Sequence, residues 1–398
     1  MEKKQRRNDE VKKRSYLDWA ATAIPMVLTE ENGLTYGNPS SVHGEGRMAK
    51  AALESARSRC AAVLGVPAKK LYFSSGGTES NAIFLHSLLL RKGNGRLLYS
   101  ELEHPSVRET CQMLGKLGLP VATIAVEKDG RVSEATLSRA LEKYPDTRFA
   151  AVMGVNNEVG SLMDIKALVS LIRLRQKETK APIHFHADMV QAIGKVPVEL
   201  SSWDLDSASF SAHKLGGPRG IGLLYLKKPI ESFYAGGEQE GGIRPGTENT
   251  SGALALAELL EKRAKPEIVK LEEAKAAGRF KYLIEGLKKI HSANGLPRCS
   301  LIPEDREEDD ERFSPWILQA RFHDVPGAVM VRALDEAGVA VSTGSACSSN
   351  SPERPVLSAM GIDESARLEG IRISQGWLTE MEDMDALLSG IEKALSFL

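Results

Sequence analysis

A chain of 398 residues with 52 basic and 53 acidic side chains, a formal net charge of −1, has no overall field to recruit nucleic acid or an anionic membrane surface. It is too long for one simple core and suits two domains in close contact. No stretch reaches the roughly 18 apolar residues of a membrane helix, so small-molecule or protein partners are expected.

The chain opens on MEKKQRRNDEVKKRS, charged with no apolar run behind it, which predicts a cytoplasmic protein with a solvated, frayed start. A targeting or nucleic-acid arm is the alternative for the basic run from Lys3 to Arg14. From about residue 48 to 230, apolar runs of strand length alternate with longer periodic stretches, the pattern of a mostly parallel sheet with helices on both faces. The runs KLYFSS, RLLYS, VATIAV, RFAAVMGV, PIHFHAD, SASFS and GIGLLYLKK read as its strands. Between them the spacing predicts a helix over 78–92, with Asn81, Phe84, Leu85, Leu88 and Leu89 on one stripe, and another over 164–179 capped by Asp164. After Gly246 a long helical region, roughly 250–292, bridges to a new unit. There the acidic segment 303–312 reads as a solvated loop, and WILQARF and VAVSTGSA as strands of a smaller α+β domain.

Four segments carry side chains suited to chemistry. In SSGGTESN, two glycines and a hydroxyl residue stand between a strand and a helix, where backbone N–H groups cradle a phosphate or simply cap a turn. In HFHADMVQ, His184, His186 and Asp188 share one face of a strand at period two. That pattern serves a metal site, a packed strand, or a carboxylate that pairs with a pyridine nitrogen. In SFSAHKLGGPRGIG, Lys214 sits where a strand opens onto a glycine-rich turn, with Ser211 and His213 as neighbouring donors, and lysine forms Schiff bases with carbonyl cofactors. In VSTGSACSSNS, Cys347 lies among small polar residues, which favours a reachable thiol over a buried one. The four cysteines, Cys60, Cys111, Cys299 and Cys347, lack CxxC spacing, so neither a zinc knuckle nor a disulfide framework is indicated.

Taken in order, YLDWAAT, YGNPSSVH, SSGGTESN, ELEHPSV, VNNEVG, HADMVQAIGK, SFSAHKLGGPRGIG, RPGTEN, STGSACSS and IRIS resemble the cysteine desulfurases of the class V aminotransferase family, from Tyr16 to about Thr379. The resemblance implies the aspartate-aminotransferase-like fold type I of pyridoxal 5'-phosphate enzymes. In that fold a large α/β domain, taken here as residues 24–260, carries a mostly parallel seven-stranded sheet. A small α+β domain combines residues 1–23 and 261–398. By the same resemblance Lys214 holds the cofactor, His104 stacks on its ring, Asp188 pairs with the pyridine nitrogen, and Asn157 and Gln191 bond its phenolic oxygen. Gly77, Thr78, Ser211 and His213 bind its phosphate, and Thr247 reaches the phosphate of a neighbouring subunit, which implies a homodimer. Asn38 and Arg372 grip the substrate carboxylate. No metal is implied.

The reaction so implied removes sulfur from L-cysteine, with Lys214 moving the Cα proton, Cys347 attacking the substrate sulfur, and His104 carrying a thiol proton. L-alanine leaves, and a persulfide on Cys347 passes to an acceptor of unknown identity, in iron–sulfur cluster assembly or other sulfur traffic. The long stretch after Cys347 resembles the subgroup with a mobile cysteine loop. The segment between Ala23 and Gly37 looks short for the family, and the chain stops at Leu398 without the tail that docks a scaffold in some relatives. The rival readings are a selenocysteine lyase, a plain aminotransferase, a catalytically silent regulatory partner, and a metal hydrolase on His184, His186 and Asp188.

Overall fold

The structure, a computed structural model, describes residues 14–26, 36–91, 93, 95–344 and 354–397. In chain order its elements begin with β1 (Ser15–Tyr16), α1 (Gly44–Leu64), β2 (Leu71–Ser74), α2 (Gly77–Ser87), β3 (Arg96–Ser100), α3 (Pro105–Lys116), β4 (Val121–Ile124) and α4 (Glu134–Lys143). Next come β5 (Thr147–Ala151), α5 (Ile165–Thr179), β6 (His184–Asp188), β7 (Ser207–Ser211), β8 (Gly222–Leu226), α6 (Thr250–Arg263) and α7 (Pro266–Leu287). The last part holds β9 (Cys299–Leu301), β10 (Ile317–Phe322), α8 (Gly327–Glu336), β11 (Val339–Ala340), α9 (Pro355–Ala359), α10 (Glu364–Glu369), β12 (Gly370–Ser374) and α11 (Met381–Phe397).

All seven strands expected between residues 70 and 228 form one sheet in the order β2-β8-β7-β6-β5-β3-β4. The pairs β4/β3, β3/β5, β5/β6 and β6/β7 are parallel, and β8 is antiparallel to both β7 and β2. Only β8 therefore runs against the rest, and the carboxyl ends of β2, β3, β5, β6 and β7 emerge along one edge. Strands such as β7 and β8 are buried at every residue, as a sheet covered on both faces requires.

A second, three-stranded antiparallel sheet, β12-β10-β9, has its own core with α7, α8 and α11 around Phe280, Leu318, Phe322, Met330 and Ile391. Leu17, from the other end of the chain, is part of that core, and β1 pairs with β11.

Three helical expectations are adjusted by local chemistry. The stretch over 78–92 is α-helical only to Ser87 and tightens into a 3-10 turn at Leu88–Leu90. The stretch over 250–292 is two helices, because Pro266 lacks an N–H and holds Lys265 in extended backbone. Helix α5 starts where Asp164 caps it, its carboxylate accepting from Ala167 N at 2.9 Å. The acidic segment 303–312 lacks regular structure but is not wholly solvated. Arg306 is buried, and its guanidinium donates to the carbonyls of Val159, Ile317 and Ser314. Among the described residues no helix is long and apolar enough to cross a membrane.

Candidate active site

The converging strand ends enclose a cleft of about 220 Å³, which brings together Gly77, Thr78, His104, Asn157, Asp188, Gln191, Ser211, His213, Lys214 and Arg372. Two predicted residues lie elsewhere. Asn38 is exposed, its side chain folded back to accept from Ser40 N. Thr247 is exposed and lines a different cleft with Glu79 and Tyr234. Cys347 lies outside the described residues. A larger cleft, about 800 Å³, sits at the opposite end of the sheet, where β6 begins at His184, and gathers no comparable set of nucleophile and acid.

Lys214 ends a 3-10 turn after β7, and its ammonium donates to the carbonyls of Ala20 (2.6 Å) and Ala21 (2.8 Å). The neighbouring His213 ring meets Thr22 Oγ1 at 3.2 Å, and burial, then the charge of Lys214, push it down to about 4, so it is neutral. His104 caps α3. Because Ser106 N donates to its Nδ1 (3.1 Å), the neutral ring carries its proton on Nε2. Burial is the first cause holding His104 below the usual imidazole range, with Lys214 and Arg108 adding to it against Asp188.

At the other wall β2 runs through Gly76 into α2, whose first residues are Gly77 and Thr78. A Cβ at Gly77 would stand 2.5 Å from Val190 Cγ2, so only glycine lets this helix start press against the end of β6. The N-terminal N–H groups and positive dipole end of α2 thus face the cleft beside Ser211.

Asp188 is 5% exposed and anchored from behind. Its Oδ2 accepts from Asn81 Nδ2 (2.8 Å) and its Oδ1 from Val190 N (3.0 Å). Asn81 also donates to Ser106 Oγ, so its own Oδ1 is left to accept from His186 Nε2 (2.9 Å). His186 Nδ1 must then accept the Ser207 hydroxyl proton (2.7 Å), and Ser207 Oγ accepts from His184 Nε2 (2.8 Å). Every donor in this chain points toward Asp188. Both rings stack on Phe84, with centroids 4.5 and 4.6 Å away, and burial pushes each down to about 3. The two histidines are thus spent on hydrogen bonds to Ser207 of β7 and Asn81 of α2. Among the described residues no group of three or more His, Cys, Asp or Glu side chains could hold a metal ion.

Arg372, on β12, is 1% exposed. Its Nη1 donates to Asn157 O (2.8 Å), its Nη2 to Asp18 Oδ1 (2.7 Å), and its Nε is buried without a partner. A ligand carboxylate here therefore shares the guanidinium with Asp18. Asp18, Ala20, Ser106 and Ser207 were not expected here, and Asn81 was expected only on the stripe of its helix. The period-two spacing of His184, His186 and Asp188 was the signal for the relay, but its partners come from α2 and β7.

A mostly parallel seven-stranded sheet with a lysine, a carboxylate, an imidazole and a glycine-opened helix at its carboxyl edge is the layout of fold type I pyridoxal-phosphate enzymes. The aminotransferase class V family model matches residues 15–387. Cysteine desulfurase IscS of Dictyoglomus turgidum is 34% identical over 402 residues, covering 97% of this chain and 95% of the relative. The protein of the same name from Methanosarcina thermophila is 34% identical, over 94% of this chain and 90% of its own. Among solved structures, a NifS-like protein superposes with a TM-score of 0.82 at 31% identity, covering 97% of this chain and all of that one. A NifS-like protein from Rickettsia africae gives 0.75 at 25% identity, over 96% of this chain and 100% of its own. This chain belongs to the class V aminotransferase family, whose members are pyridoxal-phosphate enzymes.

Proposed function

We infer that this protein is a pyridoxal-phosphate-dependent cysteine desulfurase, which takes sulfur from L-cysteine, releases L-alanine and carries the sulfur as a persulfide on Cys347. The observation that carries this reading is the meeting of Lys214, Asp188, His104 and the α2 N-terminus in one cleft of about 220 Å³. That donor set suits pyridoxal phosphate. The glycine-opened helix start beside Ser211 and His213 takes a phosphate, and the anchored Asp188 carboxylate takes a protonated ring nitrogen. Asn157 and Gln191 would bond the phenolic oxygen, and the amine of Lys214 would hold the aldehyde carbon. When bound, the cofactor supplies an electron sink for the Cα–H bond.

The chain's own residues do the rest. Lys214 moves the Cα proton, and Arg372 orients the substrate carboxylate, which Asn38 reaches only by leaving its contact with Ser40 N. The Cys347 thiolate attacks the substrate sulfur. An S–S bond forms on Cys347 while the S–Cβ bond breaks, and its electron pair stays with the carbon skeleton, which is protonated to alanine. His104, neutral with its proton on Nε2, exchanges protons with the thiols.

The reading extends to assembly. Thr247 is exposed away from its own cleft, a position that suits service to the phosphate of a second subunit in a homodimer. The turn that precedes it, Gln239–Gly242, is anchored by Glu240, buried and gripped at both oxygens by Arg57 (2.6 and 2.7 Å). We assign residues 24–260 to the large cofactor-binding domain, and 1–23 with 261–398 to the small domain that carries Cys347. A cytoplasmic setting and a protein sulfur acceptor complete the proposal.

The test is the visible spectrum of purified protein before and after cysteine and a thiol reductant, with alanine and sulfide assayed alongside. A cofactor band that changes with cysteine, with both products formed, is the expected result. A protein that takes up no pyridoxal phosphate refutes the reading, and turnover on selenocysteine alone replaces it by a lyase.

A further inference from the structure

The motif HADMVQAIGK ends on Lys195, which lies 2% exposed with its ammonium inside the protein. Among the described residues no carboxylate forms an ion pair with it, and its Nζ donates to Gln191 Oε1 at 2.9 Å. The charged groups that face it, Lys214 and Arg372, are both cations. A buried ammonium beside two like charges is costly, and an apolar side chain of the same length would pack at less expense. Its placement therefore has to be explained by what it does to Gln191.

An ammonium has donors only, so it forces Gln191 to turn its carbonyl inward and its NH₂ outward. One N–H of that NH₂ donates to Ala20 O (2.9 Å), the same carbonyl that accepts from Lys214 Nζ (2.6 Å). Lys195, Gln191, Ala20 and Lys214 thus form one hydrogen-bonded row along a wall of the cleft. Without Lys195 only the Ala20 carbonyl still orients the amide, and the grip that holds its NH₂ toward any oxyanion bound there is weakened.

We propose that Lys195 is a positioning residue that, acting through the Gln191 amide and by its own charge, stabilises the anionic phenolic oxygen of bound pyridoxal phosphate. The proposal rests on the reading of the cleft as a pyridoxal-phosphate site. Burial, then Lys214 and Arg372, push the Lys195 ammonium down to about 7, and an anion on the far side of Gln191 opposes that shift.

The readout is the pH midpoint of the visible absorption change of the cofactor-loaded protein, which reports the proton at Lys214 Nζ. Both a fixed donor to the phenolic oxygen and a nearby positive charge favour loss of that proton. Lys195→Met therefore raises the midpoint, by about one pH unit, a tenfold change in acidity. In a Gln191→Leu background the same substitution shifts it by less, because the route through the amide is already gone. Lys195→Gln, which keeps a donor and loses the charge, is titrated beside it in case the methionine variant does not fold.

A midpoint within about 0.2 units of wild type in whichever variant folds and loads overturns the inference while leaving the functional reading intact. A wild-type protein that takes up no pyridoxal phosphate overturns both.

Discussion

Replacing Asn81 by leucine tests whether the relay behind Asp188 holds the site together. The side chain is wholly buried and makes three hydrogen bonds, to His186 Nε2, Asp188 Oδ2 and Ser106 Oγ. Leucine keeps the volume and removes all three. Two groups then lose their best partner: the His186 N–H, which keeps only the longer contact to Ser209 Oγ (3.4 Å), and one oxygen of Asp188. At about 1–3 kcal/mol for each unsatisfied buried group, with some of the Asp188 term returned by water in the cleft, the expected loss is about 2–4 kcal/mol. Against a typical stability of about 5–15 kcal/mol this is a large fraction.

The measurement is urea unfolding of the cofactor-free protein at a fixed pH near 8, followed by circular dichroism, so that no ligand affinity enters the stability term. Cofactor affinity is then measured separately, and should weaken, because Asp188 loses the bond that fixes its plane. Asn81→Asp is the contrasting change. It still accepts from His186 but sets a second carboxylate against Asp188, so stability recovers in part while cofactor affinity falls further. If Asn81→Leu unfolds within about 0.5 kcal/mol of wild type and binds cofactor equally well, the relay does not anchor Asp188 and the argument fails.

Other perturbations separate the parts of the site. Cys347→Ser abolishes sulfide release and leaves the cofactor absorbance in place; loss of that absorbance would contradict its assignment as sulfur acceptor. Unfolded imidazoles take up protons near 6.5, whereas burial holds His184 and His186 down to about 3, so the unfolded state binds more protons and stability falls as pH drops below 6.5. By pH 5 the loss is roughly 2 kcal/mol per ring. Denaturation at pH 7 and 5 should therefore show His186→Gln losing that much less than wild type. Removing the buried partner of Arg57 with Glu240→Ala costs about 3 kcal/mol, and should speed proteolysis in the turn before Thr247 and, if the proposed homodimer forms, loosen it in sedimentation.

The sheet was legible because each of its strands is a short apolar run ended by glycine or polar residues, and the nearly continuous burial of β6, β7 and β8 is what such runs demand. Boundaries were less so. The periodicity of 250–292 continues across Pro266, yet the backbone before a proline is pushed out of the helical region, and VAVSTGSA contributes only Val339–Ala340 to a strand. Composition alone hid Arg306, because an arginine inside an acidic run reads as solvated until the carbonyls that receive it are known. In the cleft, Lys214 and Asp188 could be singled out because each sits at or just past a strand end in a recognisable motif, and His104 only through the family resemblance. Asn81, Ser207 and Asp18 could not, because their roles exist only through partners brought across from other elements.

That last class of residue explains how the two ends of the chain come to share one cleft. Ser374 N donates to Leu17 O (2.8 Å), and Ala20 N donates to Ser374 Oγ (2.9 Å), so the segment around Trp19 is clamped to the end of β12. Trp19 is 1% exposed, and Gly376 packs so closely on it that a Cβ there would fall 2.0 Å from the indole ring. The clamp fixes the Ala20 carbonyl, which receives both Lys214 and Gln191, and the Asp18 carboxylate, which receives Arg372. Lys214 and Gln191 on one side and Arg372 on the other are therefore registered to each other through contacts more than three hundred residues apart in sequence. It follows that the cleft cannot be complete until the second core, with Leu17 in it, has closed on the main sheet.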